Sequence, residues 1–434
     1  MRFWDCRLSH LEIGLLIFNT ILLVGLHLSP VLESVVGVVL VVAFSLLSWL
    51  TPVTGFFFIA CTQFIPYPEM MRFNPTQIGF IFWVLMLLVR YRQFSLKGAE
   101  HLVVLVPCLV WVSLTTGNLD EIANVDGEYL KAVIYALIAC QLANASEGRY
   151  LKCLLGLSLG SLMVTVTYWC YIAGLPVMVS QWGTTRGGIA RIGGVRADAV
   201  MVWPAILFGI AGLGGLATSV LRSPWPRATR TWVTPFGILM CLAGLPALMS
   251  TMTTGGYTGL VALLAAYAVF FHFAFRRGEF AGALGRRVWN YILLAVLVVS
   301  LLLSGDVLGL RTRMTGMFRY HERALDRKGV AASRQEVWST SLRTIARYPL
   351  FGVNYSGRHE EIPLEYRDRG YYLSHNVFLD YGRGSGIPGM LLFAWFFFYP
   401  LLALLRRRRR QKYFPFLLMH VAFLVFFMGL SFQY

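Results

Sequence analysis

The stretch LEIGLLIFNTILLVGLHL, residues 11–28, contains one acidic residue and no lysine or arginine in eighteen positions. A run this apolar is typical of a helix that crosses a lipid bilayer, which needs about 20 such residues. Arg2 and Arg7 precede the run, and no small-residue cleavage site follows it. We therefore expect an uncleaved first membrane span rather than a signal peptide.

The composition of the whole chain agrees with this first run. Its 434 residues are 57% hydrophobic and 14% charged, whereas soluble proteins average about 45–50% apolar and about 25% charged residues. This balance excludes a soluble domain, a disordered chain and a disulfide scaffold. Further apolar runs cover residues 31–50, 52–66, 75–90, 101–116, 129–145, 151–173, 198–219, 232–250, 257–275, 288–304, 387–405 and 413–432. The sequence predicts an all-α, polytopic membrane helix bundle with about 12–13 spans.

The net charge of +17 is explained in large part by membrane orientation. If the N-terminus lies in the cytoplasm, the short basic clusters, including the arginine run 406–410, all fall in inside loops. We therefore expect no nucleic-acid partner. The seven cysteines show no C-x-x-C spacing and lie mostly in apolar runs, so we interpret them as small buried hydrophobic residues and expect no metal site.

Two external loops break the charge rule. Loop 174–197 carries Arg186, Arg191 and Arg196, and loop 305–374 holds twelve Lys and Arg against eight acidic residues. Because orientation does not account for arginines on this side, the pattern favours an anionic ligand at the outer membrane face. The predicted divisions of the chain are a membrane bundle of about 11 spans at 1–304, a long helical loop at 305–386, and C-terminal spans at 387–434.

The long loop contains a predicted amphipathic helix at about 334–347. Ser333 to Glu336 reads as a capping box, in which the serine hydroxyl and the glutamate carboxylate satisfy free amides at a helix start. Trp338, Leu342 and Ile345 then recur at helical spacing and define one apolar face, and Pro349 ends the helix. The charge pattern leaves two interpretations open: a helix on the membrane surface or over a cavity, and a merely solvated basic helix.

The stretch from Ser333 to Gly389 resembles the O-antigen ligase and polymerase superfamily. Members are multi-span enzymes that handle undecaprenyl-diphosphate-linked glycans at the periplasmic face. The matching pieces, in order, are Arg334 to Trp338 as the R-x-x-x-W helix, Tyr348 to Gly352 as the P-x-x-G turn, and Ser374-His375-Asn376 with Gly386-Ile387-Pro388-Gly389 as the H-N signature. Upstream, Arg191-Ile192-Gly193 is similar to the R-x-G of an earlier external loop.

The resemblance implies a role for each matching residue. His375 is the expected general base, Arg191 is the expected catalytic and diphosphate-binding cation, and Arg334 is the second choice for the diphosphate. Asn376, Trp338 and Glu336 are expected to support them.

The chain also departs from the family pattern. Arg196-Ala197-Asp198 stands where relatives commonly have Pro-Asn, and Thr253 to Tyr257 lacks an arginine that many relatives carry at the outer end of a later span. If that arginine binds phosphate in relatives, a residue elsewhere replaces it here. The alternative diphosphate ligands are Arg186, Arg196, Arg311 and Arg313.

Together with these features, the resemblance implies a glycosyltransferase of the O-antigen ligase type, metal-independent, inverting and without a cofactor, in the bacterial inner membrane with its active site facing the periplasm. The expected donor is an undecaprenyl-diphosphate-linked glycan, and the expected acceptor is a sugar hydroxyl of lipid A-core or of another glycolipid. Two alternatives remain open. One is an O-antigen or exopolysaccharide polymerase of the same superfamily, and the other, from a different class, is a lipid-linked glycan transporter.

Overall fold

A computed structural model describes part of the chain. The described residues are 8–28, 39, 42–43, 46–47, 50–62, 102–116, 147–175, 185–186, 189–190, 199–222, 227–251, 253–276, 297, 305, 311–312, 315–316, 330–353, 374, 376–406 and 414–429. The expected spans at 31–50, 75–90, 129–145 and 288–304 lie wholly or mainly outside them.

The described chain is helical, as the sequence predicts. Its helices are α1 His10–Leu28, α2 Pro52–Thr62, α3 Leu102–Thr116, α4 Glu147–Leu162, α5 Thr165–Ile172, α6 Ala199–Arg222, α7 Arg227–Ser250, α8 Thr254–Arg276, α9 Val330–Arg347, α10 Val377–Arg406 and α11 Phe414–Gly429. Within the described ranges, no helix joins enough length to enough apolar character to cross a membrane.

One small β pair departs from the all-α prediction. Strands β1 Thr185–Arg186 and β2 Ile189–Ala190 pair antiparallel, with Arg186 opposite Ile189. The Gly187-Gly188 dipeptide between them is one of the preferred connections of a two-residue hairpin, because glycine accepts the positive φ angles of such turns. The basic loop 174–197 therefore contains a hairpin that apolar patterning did not reveal.

The chain forms two compact units. The first comprises residues 1–93, 146–319 and 411–423, and the second comprises 94–145, 320–410 and 424–434.

Glycines allow a close helix contact in the described part of the first unit. A Cβ atom at Gly156 or Gly160 of α4 would collide with the backbone oxygen of Val53 or Phe57 in α2. The G-x-x-x-G spacing places both glycines on one helix face, so the two backbones approach closely. The Cys61 thiol of α2 donates to the Gly160 carbonyl at 3.5 Å. These contacts make α2 and α4 a tightly packed pair, and α6 packs on the other side of α4.

Helix α1 is attached to the first unit through a buried carboxylate. Ser9 and Glu12 form a capping box, since the Ser9 N–H donates to Glu12 Oε2 at 2.7 Å and the Glu12 N–H donates to Ser9 Oγ at 3.1 Å. Lys152 Nζ of α4 lies 2.9 Å from the same Glu12 Oε2. One glutamate therefore caps the start of α1 and pairs with a cation of α4.

The second unit packs α3 and α9 against α10. Cys108 and Val112 of α3 form an apolar cluster with Val377, Tyr381 and Phe393 of α10. The Tyr381 and Phe393 rings stack with centroids 4.2 Å apart and an interplanar angle of 9°. Helix α9 packs on the first part of α10, where a Cβ atom at Gly382 would lie 2.6 Å from Ile345 Cδ1. This unit therefore has its own core, built around α10.

The structure corrects two predictions about α9. The helix begins at Val330, so Ser333 and Glu336 lie inside it and do not form a capping box at its start. Ala331 and Ala332 are strong helix formers and extend the helix upstream. The predicted end is confirmed, because the helix stops at Arg347, before Pro349.

The predicted apolar face of α9 is only partly right. Ile345 is buried, but Trp338 is 37% exposed and Leu342 is 56% exposed. The buried face instead contains Val337, Ser341 and Thr344 beside Ile345. The Ser341 hydroxyl donates to the Val337 carbonyl at 2.7 Å, and the Thr344 hydroxyl donates to the Thr340 carbonyl at 3.0 Å. Because both hydroxyls are satisfied within the helix, these polar side chains pack in a buried face.

Candidate functional site

The three matching pieces of the long loop converge in the second unit. Trp338 of α9 reaches across to the segment before α10, where its Nε1–H donates to the Ser374 carbonyl at 2.6 Å. The two residues are 36 positions apart in sequence. This bond joins the helix that resembles the R-x-x-x-W motif to the segment that resembles the H-N motif, so Trp338 contacts the segment that it was expected to support.

Asn376 forms the cap at the start of α10. Its side-chain Oδ1 accepts the N–H groups of Phe378 at 3.1 Å and Leu379 at 3.3 Å, which are free donors of the first helical turn. Its own N–H donates to the Ser374 hydroxyl at 3.1 Å, and that hydroxyl donates to the Asn376 carbonyl at 2.8 Å. His375 lies between these two residues and outside the described part of the chain. Both of its neighbours are therefore fixed by hydrogen bonds.

The turn after α9 rests on a break in α10. Gly386 interrupts α10 with φ 73° and ψ −177°, a conformation that is essentially restricted to glycine. At this break the Ile387 N–H donates to the Pro349 carbonyl at 2.8 Å, and the Val353 N–H donates to the Arg383 carbonyl at 2.8 Å. The P-x-x-G turn and the glycine-rich segment, which the sequence places 34 or more residues apart, thus share a short backbone interface.

Glycine is required on both sides of this interface. Gly352 has φ 67°, and a Cβ atom there would collide with the Arg383 carbonyl oxygen. A Cβ atom at Gly386 would collide with the Leu350 carbonyl oxygen. Each glycine therefore supplies both a positive φ angle and the space for the other backbone. This explains why glycine stands at both positions of this chain.

Trp111 of α3 is a site residue that sequence reasoning missed. Its Nε1–H donates to the Ser385 carbonyl at 2.8 Å, and its ring stacks on Phe351 with centroids 5.6 Å apart at 11°. It thus contacts both the glycine-rich break and the P-x-x-G turn. A tryptophan within an apolar run looks like any other packing residue, so no sequence signal pointed to this role.

Sequence analysis also missed a buried carboxylate and a buried guanidinium group on α10. Asp380 is 6% exposed and Arg383 is fully buried. They are three residues apart on one helix and so share a face. Asp380 Oδ1 accepts the Ser374 N–H at 3.1 Å. The sequence analysis placed both residues in the loop 305–386, before the span predicted to begin at residue 387, whereas α10 begins at Val377 and so includes them.

The predicted arginines are described to different extents. Arg334 lies within α9 and Arg186 within β1, and the structure describes only the backbone at both positions. The same holds for Glu336, the predicted supporting residue of α9. Arg311 is exposed. Three further arginines and the predicted base lie outside the described residues: Arg191, Arg196, Arg313 and His375.

Gly255, in the stretch where many relatives carry an arginine, has no room for a side chain. A Cβ atom at Gly255 would lie 2.5 Å from Cζ2 of Trp203, whose side chain is 1% exposed. The indole of Trp203 therefore occupies the volume that a side chain at Gly255 would need. In the part of the chain that the structure covers, no group of three or more His, Cys, Asp or Glu side chains is placed to hold a metal ion.

The comparisons with known proteins agree with the motif assignment. The family described as O-antigen ligase matches residues 238–394. The match contains α9, the P-x-x-G turn, the residues around His375 and the break at Gly386, but not α3 or the loop with Arg191. No curated protein matches the chain.

Proposed function

We propose, because residues 238–394 match the O-antigen ligase family, that the chain transfers a glycan from undecaprenyl diphosphate to a sugar hydroxyl of lipid A-core. The reaction takes place at the periplasmic face of the bacterial inner membrane. The observation that carries this proposal is the hydrogen-bonded frame around His375, formed by Trp338, Ser374 and Asn376. A frame of this kind suits a residue whose position matters for chemistry.

His375 is the general base in this proposal. It removes the proton of the acceptor hydroxyl as the oxygen forms a bond to the anomeric carbon of the donor glycan. Imidazole has an ordinary pKa of about 6.5, so much of it is neutral near pH 7 and able to accept a proton. General-base catalysis of this type is typically worth about 10²–10⁴ in rate.

The leaving group is undecaprenyl diphosphate, and arginines stabilise the charge that it gains. The bond between the anomeric carbon and the diphosphate oxygen breaks as the new glycosidic bond forms, so the configuration inverts. Arg191 is the first candidate and Arg334 the second, since guanidinium groups stay ionised and bind phosphate oxygens in pairs. A cation aimed at the leaving group contributes on the order of 3 kcal/mol. Arg186, Arg196, Arg311 and Arg313 are the remaining candidates.

The proposed reaction uses no metal ion, because arginines take the place of a divalent cation at the leaving diphosphate, and no cofactor, because the donor already contains the activated bond. We expect full activity in the presence of EDTA. Loss of activity in EDTA that magnesium or manganese restores would contradict this part of the proposal.

A deletion strain distinguishes the ligase from the polymerase of the same superfamily. For a ligase, lipid A-core carries no repeat units, and long glycan accumulates on its polyprenyl carrier. For a polymerase, the core carries a single repeat and no longer chains. An unchanged lipopolysaccharide profile would contradict both.

Complementation of that strain tests the base. His375→Ala is expected to leave the deletion phenotype in place although the protein is present in the membrane fraction. His272→Ala is the matched control, because this exposed histidine of α8 lies outside the motifs. A transporter would be little affected by His375→Ala, so full complementation by that variant would overturn the enzymatic proposal.

A further inference from the structure

Asp380 is a buried carboxylate in the first turn of α10, six residues after Ser374. It is 6% exposed. Burial of a carboxylate costs free energy unless hydrogen bonds or charges compensate it. A buried acid beside the proposed base therefore needs an explanation.

Capping of α10 does not explain it. Asn376 Oδ1 already accepts the N–H groups of Phe378 and Leu379, which are the donors that a cap residue satisfies. The Asp380 side chain instead points its Oδ1 atom back to the Ser374 N–H at 3.1 Å. The Asp380 carboxylate therefore binds the backbone of Ser374, the residue immediately before His375 in sequence.

The hydrogen bonds at Ser374 complete this picture. Asp380 Oδ1 accepts its N–H, and Trp338 Nε1–H donates to its carbonyl at 2.6 Å. That carbonyl belongs to the peptide unit before His375. The Asn376 N–H, which belongs to the peptide unit after His375, donates to the Ser374 hydroxyl at 3.1 Å. Both peptide units that flank the proposed base therefore carry a hydrogen bond.

We infer that Asp380 is a positioning residue for glycan transfer, which acts through its hydrogen bond to the Ser374 N–H and thereby fixes the backbone that carries His375. This inference rests on the proposed function. The acid holds the segment from the helix side, while Trp338 holds it from α9. The acceptor atom is what matters, so an asparagine at this position keeps the function and an alanine does not.

Steady-state kinetics of the purified full-length protein tests this with the lipid-linked donor and its acceptor. We expect Asp380→Ala to lower kcat by about 10²-fold, the scale of a misplacement of about 1 Å, with KM for the donor nearly unchanged. Asp380→Asn keeps the Oδ1 acceptor and should retain most of kcat. Thr344→Ala is the packing control, because Thr344 is equally buried and its hydroxyl bonds within α9. If Asp380→Ala does not fold, Asp380→Leu removes the acceptor while it keeps a side chain that branches at Cγ.

Hydrogen exchange supplies a readout that needs no turnover. The amide of Ser374 should exchange faster in Asp380→Ala than in wild type, and Asp380→Asn and Thr344→Ala should match wild type. Unchanged exchange in Asp380→Ala would overturn the inference. Equal kcat values for Asp380→Ala and wild type would also overturn it, as would a loss of kcat in Asp380→Asn equal to that in Asp380→Ala. If the wild-type protein transfers no glycan, the proposed function is wrong. Faster exchange in Asp380→Ala would in that case still support the hydrogen bond between Asp380 and Ser374.

Discussion

Gly386→Ala is expected to destabilise the second unit, because residue 386 combines an unusual backbone conformation with a close contact. With φ 73° and ψ −177° the residue lies in a region that is essentially restricted to glycine, and another residue there costs about 1–3 kcal/mol. The new Cβ atom would also lie 2.5 Å from the Leu350 carbonyl carbon and 2.8 Å from the Pro349 oxygen. The turn must move, which weakens the Ile387 N–H bond to Pro349.

The free energy of unfolding should fall by about 2–4 kcal/mol, since the backbone cost adds to the loss of one hydrogen bond worth about 1 kcal/mol. Thermal unfolding of the purified protein, followed by tryptophan fluorescence, should show an apparent melting temperature lower by roughly 5–15 °C. The proposed glycan transfer should fall with it, because the break lies within α10, the helix whose start Asn376 caps.

Substitutions of two other glycines separate the cost of the positive φ angle from the cost of the collision. Gly174 has φ 71° with nothing within 4 Å of an added Cβ atom, so Gly174→Ala tests the backbone cost without a collision. Gly14 lies within α1 with equally open surroundings and no positive φ, so Gly14→Ala should raise stability by about 0.5–1 kcal/mol. The reasoning is refuted if Gly386→Ala melts no lower than Gly174→Ala.

Three further predictions concern other contacts. Trp338→Phe removes the donor to Ser374 and should lower kcat about tenfold, since loss of one positioning hydrogen bond costs about 1–1.5 kcal/mol; an unchanged kcat argues against the frame. Gly160→Leu should prevent close packing of α2 on α4 and abolish accumulation of folded protein in membranes, whereas normal levels would contradict the packing. Glu12→Gln should weaken the contact with Lys152 and lower stability by about 1–2 kcal/mol, measured by thermal unfolding, and Lys152→Met should show no additional loss in the Glu12→Gln background.

The helices and the motifs were predictable for different reasons. Most described helices coincide with apolar runs, because a long run of Leu, Val, Ile and Phe has few alternatives to a helix. Helix α6, for example, begins at Ala199 and ends at Arg222, against a predicted run of 198–219. The motifs were recognised by their resemblance to those of a family, and the structure gives a physical reason for two of their residues, because Gly352 and Gly386 have positive φ angles that other residues avoid. Whether the helices cross a membrane stays a prediction.

The buried polar contacts could not be predicted. Apolar periodicity assigned Leu342 to the inside of α9, yet the structure buries Ser341, whose hydroxyl is satisfied by its own helix. Trp111 lay in a predicted apolar run and Asp380 in the predicted loop 305–386, and both have hydrogen-bond partners outside their own helices. Sequence spacing reports which residues share a helix face, but not which distant carbonyl or N–H group that face meets.

The hydrogen bond between Trp111 and Ser385 limits where this protein can be truncated or joined to a relative in a chimera. The segment 238–394 that matches the O-antigen ligase family does not contain Trp111, which belongs to α3. An excised or transplanted segment would therefore lose both the donor to Ser385 and the ring that stacks on Phe351. A chimera between relatives should inherit residues 102–116 from the same parent as the segment 330–406, because the family boundary is not a boundary of folding.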